Sequence, residues 1–209
     1  MNFKGNKISE HENDFKIFIS YSREDMPEVD KIDNDFQSMG ITFVRDERDL
    51  NYHQSIKDFM KSVRKADYVL MVISDNYLKS KYCMNEVLEF IKDDNYKDRI
   101  LHVILDNCMD IFSPAGCVKY VAFWEEEYKK NKQAVSSLDP MNTGDLYKDL
   151  IVIENICRNI SGFISVVCDM KHVRLAELKA KDYKPILDFI KYGGGNSVKK
   201  TLNRTAVKH

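Results

Sequence analysis

The sequence predicts a flavodoxin-like, doubly wound α/β fold with a five-stranded parallel sheet and a helical C-terminal extension. Short segments rich in β-branched and aromatic residues alternate with segments whose apolar residues recur every three or four positions. This alternation is typical of parallel strands joined by crossover helices. The third short segment is almost continuously apolar, as expected for a central strand covered on both faces. With 209 residues, 44% of them hydrophobic, the chain can bury one substantial core.

The first two strand–helix units are predicted in the first third of the chain. The strand FKIFIS is followed by a turn-prone segment and by a helix with one apolar face, which Gly40 terminates. The strand ITFVR leads through a polar loop into a second helix. The predicted ranges are 15–20 for the first strand, 24–39 for its helix, 41–45 for the second strand and 56–63 for its helix.

The centre and far edge of the predicted sheet follow. The third strand, DYVLMVIS, and the fourth strand, RILHVIL, flank a helix with Ser80 as its N-cap. A shorter fifth strand is predicted from the aromatic and β-branched run YVAFW. The ranges are 67–74, 99–105 and 120–124 for the strands and 81–93 for the helix.

Helices are predicted beyond the sheet. Residues 144–167 form one long amphipathic pattern. Although residues 162–168 are rich in β-branched residues and also suit a strand, the apolar spacing that continues from Leu150 favours a helix. A last helix, 184–192, ends at three glycines, and a basic polar tail follows. The chain therefore divides into an N-terminal tail (1–13), an α/β domain (14–135), a helical C-terminal extension packed on that domain (136–192) and a flexible tail (193–209).

Net charge and hydropathy disfavour two classes of partner. The chain has 32 basic and 33 acidic residues, a net charge of -1, so no overall positive field would attract nucleic acid or an anionic membrane. No apolar run approaches the roughly 20 residues that span a bilayer, and the polar N-terminus lacks the apolar stretch of a signal peptide. We expect a cytoplasmic protein without nucleic-acid or membrane partners.

The five cysteines give no sign of a disulfide framework or a metal site. Their number is odd, and no Cys-x-x-Cys pair or Cys/His cluster has the spacing of zinc ligands. We expect reduced thiols and no bound metal. A catalytic pair of a cysteine with His53, His102 or His172 stays open, although each histidine also suits an ordinary structural position.

The predicted topology indicates where a ligand would bind. In a doubly wound sheet, ligands bind beyond the carboxyl ends of the strands where the strand order reverses, here between the first and third strands. After the first strand, Tyr21, Ser22 and Arg23 offer hydroxyl groups, a guanidinium and backbone N–H groups to an anionic or polyhydroxylic ligand. The candidate residues after the third strand are Tyr77, Ser80, Tyr82 and Glu86.

Tyr82 and Glu86 are one helical turn apart, so an aromatic face and a carboxylate can border the same cleft. This spacing is the sharpest chemical feature of the sequence. Helical position alone favours a more ordinary interpretation, because charged helix residues are usually solvated. On that interpretation Glu86 is a surface residue like Glu89, and Tyr82 covers an edge of the core.

Three segments follow one another along the chain: FKIFISYSREDMPEVDKI, GITFVRDERDL and ISDNYLKSKYCMNEV. Together they resemble the sequence boxes of TIR (Toll/interleukin-1 receptor) domains. The first is similar to the first box, and the second is similar to the second strand entering the BB loop. The resemblance spans residues 14–124 and implies the TIR fold. ISDNYLKSKYCMNEV is similar to the pattern Ser-x-x-(Phe/Tyr)-x-x-Ser-x-(Trp/Tyr)-Cys-x-x-Glu, which is filled by Ser74, Tyr77, Ser80, Tyr82, Cys83 and Glu86.

Many TIR domains cleave NAD+ at the nicotinamide–ribose bond, and the resemblance implies that Glu86 is the catalytic glutamate. NAD+ is then a substrate, and no cofactor is implied. Tyr21 and Tyr82 would flank the nicotinamide ribose, and Ser22 and Arg23 would meet polar or phosphate groups. The other implied substrate-binding residues are Tyr77, Ser80, Cys83, Asp46 and Arg48, the last two at the mouth of the BB loop. Arg48 and Asp49 also suit an exposed ion pair that contributes little.

The resemblance also implies partners. TIR enzymes commonly complete their sites by assembly, so we expect contacts with other TIR protomers and a homo-oligomer on activation. The helical extension resembles those of stand-alone bacterial TIR NADases, including the TIR component of Thoeris-like antiphage systems, in which a separate effector senses the nucleotide product. Whether the product here is ADP-ribose, a cyclic isomer or a conjugate stays open.

Two other functions are compatible with the same fold. A non-catalytic TIR adaptor would act through homotypic contacts of the BB loop and neighbouring helices. A phosphoacceptor receiver would need clustered acids after the first strand and an aspartate at the end of the third. The chain has Ser20, Tyr21 and Ser22 at the first place and Ser74 at the second, which disfavours a receiver.

Overall fold

The computed structural model describes residues 16–45, 66–92, 94–139, 143–170 and 174–193. The helix predicted at 56–63 and two predicted site residues, Asp46 and Arg48, lie outside these ranges. The predicted N-terminal tail lies outside them as well, and so does the predicted C-terminal tail beyond Gly193.

Four parallel strands form the sheet within the described residues. They are β1 (Ile17–Ser20), β2 (Phe43–Val44), β3 (Tyr68–Ile73) and β4 (Ile100–Ile104), in the spatial order β2-β1-β3-β4. The order reverses between β1 and β3, as in a flavodoxin-like doubly wound sheet. The predicted fold class is confirmed, and each of these strands lies within its predicted range.

Helices cover both faces of the sheet. They are α1 (Met26–Ser38), α2 (Asp75–Lys79), α3 (Lys81–Phe90), α4 (Pro114–Ser136), α5 (Gly144–Asp169), α6 (Leu175–Ala180) and α7 (Lys184–Asp188). Shorter 3-10 turns span Arg23–Asp25, Tyr96–Asp98 and Asp106–Phe112, and a π turn spans Phe189–Gly193. The helices predicted at 24–39, 81–93 and 184–192 are confirmed, with slightly shorter α-helical cores. The short helix α2 is not predicted from the sequence.

The fifth strand predicted at 120–124 is wrong, because these residues lie inside α4. The Ser113 side chain caps the start of this helix, and Pro114 occupies its first turn, where proline is favoured. Tyr120 and Trp124 are four residues apart and fall on one buried helix face. Trp124 Nε1 donates to a backbone carbonyl of α2 at 2.8 Å. The aromatic content of this segment therefore reflects burial against α2 rather than strand pairing.

The outer edge of β4 meets the chain that follows α5. Arg174 pairs with Ile104 in a parallel bridge, at the place where a fifth strand would lie. A cavity of about 430 Å³ opens beside the amino-terminal half of β4, lined by apolar residues such as Ile100, Met170 and Ile186. This cavity is therefore distant from the carboxyl ends of the strands.

The strand β3 separates the core into two clusters. All six of its residues are buried, and successive side chains point to opposite faces of the sheet. Met71 and its alternate neighbours pack with α3, α4 and α5. Leu70 and its alternate neighbours pack with α1 and α7. Burial on both faces explains why this segment is apolar throughout.

The helix α5 confirms the long helix of the prediction, including residues 162–168. Its buried residues recur at helical spacing from Leu150 to Val167, and it packs against α3 and α4. By length and composition α5 is also apolar enough to cross a membrane, which corrects the expectation that no segment approaches that length. A single such helix is weak ground for a membrane span, because buried core helices meet the same criterion.

Tyr183 joins the C-terminal helices to α1. Its backbone is left-handed, with φ of 53°, an uncommon conformation for a tyrosine. The residue is 3% exposed, its ring centroid lies 4.7 Å from that of Phe36, and its hydroxyl donates to Asp35 Oδ2 at 2.7 Å. These contacts hold a backbone conformation that would otherwise be costly.

We expect Tyr183→Ala to lower the free energy of unfolding by about 3 kcal/mol, because it opens a cavity and removes a hydrogen bond. Tyr183→Phe keeps the ring and should cost about 1 kcal/mol. Urea denaturation followed by circular dichroism measures both values. The matched control is Tyr147→Ala, at a tyrosine that is 48% exposed, with an expected change below about 0.5 kcal/mol. Equal losses for the two alanine variants would contradict the structural role of Tyr183.

Candidate functional site

The carboxyl ends of β1 and β3 lie side by side where the strand order reverses. Ser20, the last residue of β1, is in register with Met71 of β3, and the chain leaves both strands at the same edge because the strands are parallel. The turn Arg23–Asp25 then follows β1, and α2 and α3 follow β3. The structure thus brings together the two segments that the sequence predicts to form a site.

Asp25 ties these two segments together. The residue is 6% exposed, its Oδ1 accepts from Asn76 Nδ2 at 2.8 Å, and its Oδ2 accepts from the Ser74 hydroxyl. Ser74 also accepts from the Tyr77 amide at 2.8 Å and so caps α2. Because a buried carboxylate needs such partners, Asp25 fixes the spacing of the two segments. The sequence does not single out Asp25 or Asn76, because aspartate and asparagine are also common in exposed turns.

Ser20 and Tyr77 form the floor of the site. Tyr77 is fully buried, and its hydroxyl lies 3.0 Å from the Ser20 hydroxyl. Burial raises the pKa of the Tyr77 phenol well above its ordinary value, and the negative charge of Glu86 adds to this effect. The structure places Tyr77 below the surface of the site, where its side chain supports neighbouring residues.

Ser80 and Cys83 hold the start of α3 against β1. The Ser80 hydroxyl accepts from the Cys83 amide at 3.3 Å, which confirms Ser80 as the N-cap. The Cys83 thiol donates to the Tyr21 carbonyl at 3.4 Å. Burial raises the pKa of this thiol to about 12, and nearby carboxylates add to the effect. The thiol therefore stays protonated at neutral pH, which disfavours a cysteine nucleophile at this position.

Glu86 lies on α3 beside the floor. It is partly exposed and stands one helical turn after Cys83, and its negative charge adds to the raised pKa values of Tyr77 and Cys83. Tyr82, one turn earlier on the helix, is 61% exposed. The interpretation of Tyr82 as cover for the core is therefore wrong, and its ring is accessible to a ligand.

Three carboxylates act on the Cys83 thiol. They are those of Glu24, Asp25 and Glu86, and each contributes to the raised pKa of this thiol. A hydrogen bond from the Ser22 hydroxyl lowers the pKa of Glu24. Among the described residues, no group of three or more His, Cys, Asp or Glu is arranged to hold a metal ion.

The residues that follow β1 differ in what they offer a ligand. Ser22 is 2% exposed and turns its hydroxyl to Glu24, whereas the Arg23 side chain is exposed. The Tyr21 ring packs with the core cluster on the α1 face of the sheet, while α3 covers the opposite face. The carbonyl of Tyr21 contacts α3 through the Cys83 thiol. The structure therefore separates the Tyr21 ring from the helix that bears Glu86.

A second charged cluster holds α2 against α4. Asp75 Oδ1 accepts from Lys119 Nζ at 2.8 Å and from the Tyr120 hydroxyl at 3.0 Å, and its Oδ2 accepts from Lys79 Nζ at 2.7 Å. Burial acts to raise the pKa of Asp75, but the hydrogen bonds from Lys119, Lys79 and Tyr120 lower it to about 2. The cluster fixes α2, the helix whose cap, Ser74, contacts Asp25.

We expect Asp75→Asn to lower the free energy of unfolding at pH 7 by on the order of 2 kcal/mol, because the folded-state pKa of Asp75 is depressed. That contribution is present above the ordinary pKa of 3.8 and is lost as the pH falls toward 2. Urea denaturation of wild type and variant at pH 7, pH 4 and pH 2.5 should therefore show a shrinking difference. Asp145→Asn, at an exposed helix position, is the control. A difference that does not change with pH would exclude this role for Asp75.

Known proteins resemble this chain in sequence and in fold. A family model described as TIR domain matches residues 17–138. Eight chains of solved structures match. One belongs to the structure of the activated Roq1 resistosome directly recognizing the pathogen effector XopQ (TIR domains), with a TM-score of 0.53 and 18% identity over 84% of this chain and 99% of that chain. At this identity the likeness supports the fold alone. No curated protein is significantly similar in sequence.

Proposed function

Because this chain belongs to the TIR domain family, we propose that it is an enzyme that cleaves the nicotinamide–ribose bond of NAD+, with Glu86 as the catalytic carboxylate. The observation that best supports the proposal is the position of Glu86. It stands on α3 one turn after Cys83, whose thiol contacts the Tyr21 carbonyl at the edge where the carboxyl ends of β1 and β3 meet. Ligands of doubly wound sheets bind at this edge.

The proposed reaction needs few protein groups. Nicotinamide leaves as a neutral molecule from a positively charged ring, so the leaving group needs no acid, unlike that of an ordinary glycoside. As the bond breaks, positive charge moves onto the ribose in an oxocarbenium-like transition state. A carboxylate held beside that charge stabilises it.

The other candidate residues fall into two groups, those exposed to a substrate and those held within the protein. Tyr82 and Arg23 are exposed, so the Tyr82 ring stacks on the nicotinamide ribose and Arg23 reaches a phosphate. The remaining candidates hold the site in shape rather than contact the substrate, because their polar atoms form hydrogen bonds within the protein. They are Tyr21, Ser22, Tyr77, Ser80 and Cys83.

We expect Glu86→Gln to lower kcat for nicotinamide release by about 100- to 1000-fold, with little change in KM. The substitution keeps the shape of the side chain but removes a charge worth about 4 kcal/mol at about 4 Å and an effective dielectric constant of about 20. Nicotinamide release from NAD+ is followed by liquid chromatography at several protein concentrations, because the proposed assembly depends on protein concentration.

The matched control is Glu89→Gln, on the same helix, where the carboxylate pairs with Lys92. It should retain wild-type kcat. Equal rates for wild type and Glu86→Gln, or no release by wild type at any protein concentration, would contradict the proposed function.

We expect Tyr82→Ala to lower kcat/KM for NAD+ by about 3- to 10-fold, the effect of losing one aromatic contact. Tyr82→Trp keeps a stacking face and should retain activity. Steady-state kinetics of nicotinamide release test both variants. Val118→Ala serves as the control for the loss of an exposed apolar side chain, on α4. If Tyr82→Ala and Val118→Ala have the same kcat/KM, Tyr82 does not contact the substrate.

The proposal extends to the fate of the product. In the cytoplasm, the ADP-ribosyl group passes to water, to an internal nucleophile or to another acceptor, giving ADP-ribose, a cyclic isomer or a conjugate. This product acts as a signal in antiphage immunity and is sensed by a separate effector, and the enzyme assembles with other TIR protomers on activation. Mass spectrometry of the reaction mixture identifies the product.

A non-catalytic adaptor is the second candidate function. Its support is the exposure of several large apolar side chains on α5, namely Leu146, Tyr147 and Ile151, which are available for contacts between proteins. Retained signalling by Glu86→Gln, with loss on substitution in the BB loop, would select the adaptor over the enzyme.

A further inference from the structure

Arg45 connects the end of β2 to α1. Its side chain is 8% exposed, and its Nη1 donates to Asp30 Oδ1 at 2.6 Å and to Asp33 Oδ2 at 3.2 Å. The two carboxylates are one turn apart on α1 and both face the end of β2. A buried guanidinium is stable only with such partners, and two carboxylates together fix its orientation. Arg45 is therefore an immobile donor.

Tyr21 receives the remaining arm of this guanidinium. Arg45 Nη2 donates to the Tyr21 hydroxyl at 3.2 Å, and the guanidinium carbon lies 5.2 Å from the centroid of the Tyr21 ring. A planar guanidinium holds its donors in a rigid fork. The bond therefore sets the orientation of the Tyr21 phenol against the end of β2.

The backbone of Tyr21 is held from the other side. Its carbonyl accepts the Cys83 thiol at 3.4 Å, and Cys83 stands on α3 three residues before Glu86. Tyr21 is thus held by its hydroxyl at β2 and by its carbonyl at α3. This chain of contacts runs from Arg45 through Tyr21 and Cys83 to the helix of Glu86.

We propose that Arg45 is a positioning residue for the proposed reaction, because it fixes Tyr21 and thereby the placement of Glu86 relative to the end of β1. This inference rests on the proposed function. Arg45 acts through Tyr21, because its Nη2 donates to the Tyr21 hydroxyl. Lysine cannot replace it, because an ammonium group lacks the fork that reaches two carboxylates and a phenol together.

The test is a double-mutant cycle of Arg45→Lys and Tyr21→Phe, measured as nicotinamide release from NAD+ per folded protein. Tyr21→Phe keeps the ring and removes only the acceptor of the Arg45 bond. Each single substitution should lower kcat about tenfold with KM within about threefold, the effect of a small misplacement of the reacting groups. The double variant should be no slower than either single variant, because both remove one contact. Arg158→Lys, at an exposed arginine of α5 paired with Glu154, is the matched control and should retain wild-type kcat.

Circular dichroism and thermal unfolding of the same variants separate positioning from stability. A lower melting temperature with unchanged kcat for Arg45→Lys would overturn the inference, and so would effects that multiply to about 100-fold in the double variant. If Arg45→Lys does not fold, Tyr21→Phe alone decides, and an unchanged kcat overturns the inference. Cleavage by wild type together with either of these results leaves the proposed function standing. No cleavage by wild type overturns the proposed function and this inference with it.

Discussion

The parallel pairing of β1 with β3 is the constraint on which the candidate site depends. Both strands are buried on both faces, so each must be covered by crossover helices, and the chain must leave both at the same edge of the sheet. Residues that are more than fifty positions apart in sequence, such as Ser20 and Tyr77, thereby come within hydrogen-bonding distance. The order of the strands, rather than any single side chain, therefore sets where the site lies.

Buried polar groups then fix the geometry of that edge. Both carboxylate oxygens of Asp25, which follows β1, accept hydrogen bonds from the segment that follows β3. The Cys83 thiol on α3 in turn donates to the Tyr21 carbonyl. Such contacts are costly to break, because each would leave a buried group without a partner. They provide a rigid frame in which α3 presents Glu86 and Tyr82 at the surface of the site. In the proposed enzyme, this frame orients the single carboxylate on which the chemistry depends.

Secondary structure was predicted correctly where a local sequence pattern is compatible with only one type of element. Short runs of β-branched and aromatic residues, or a continuous apolar run, marked the four strands, and the unbroken spacing from Leu150 correctly assigned residues 162–168 to a helix. It failed at residues 120–124, because aromatic and β-branched residues are favoured both in strands and on the buried face of a helix. The contact of Trp124 with α2, together with the cap at Ser113, distinguishes the two.

For the site, the sequence by itself determined the edge of the sheet and the segments that meet there, and the TIR resemblance, shown by the family match over residues 17–138, singled out Glu86. The tertiary structure decided which side chains face outward. It buried Ser22 and Tyr77, exposed Tyr82 and turned the Tyr21 ring toward Arg45. It also revealed the roles of Asp25 and Arg45, whose hydrogen-bond partners lie on other elements of the fold. The physical reason is that spacing along a chain fixes which residues share an element, whereas burial and hydrogen-bond partners depend on what other elements pack against it.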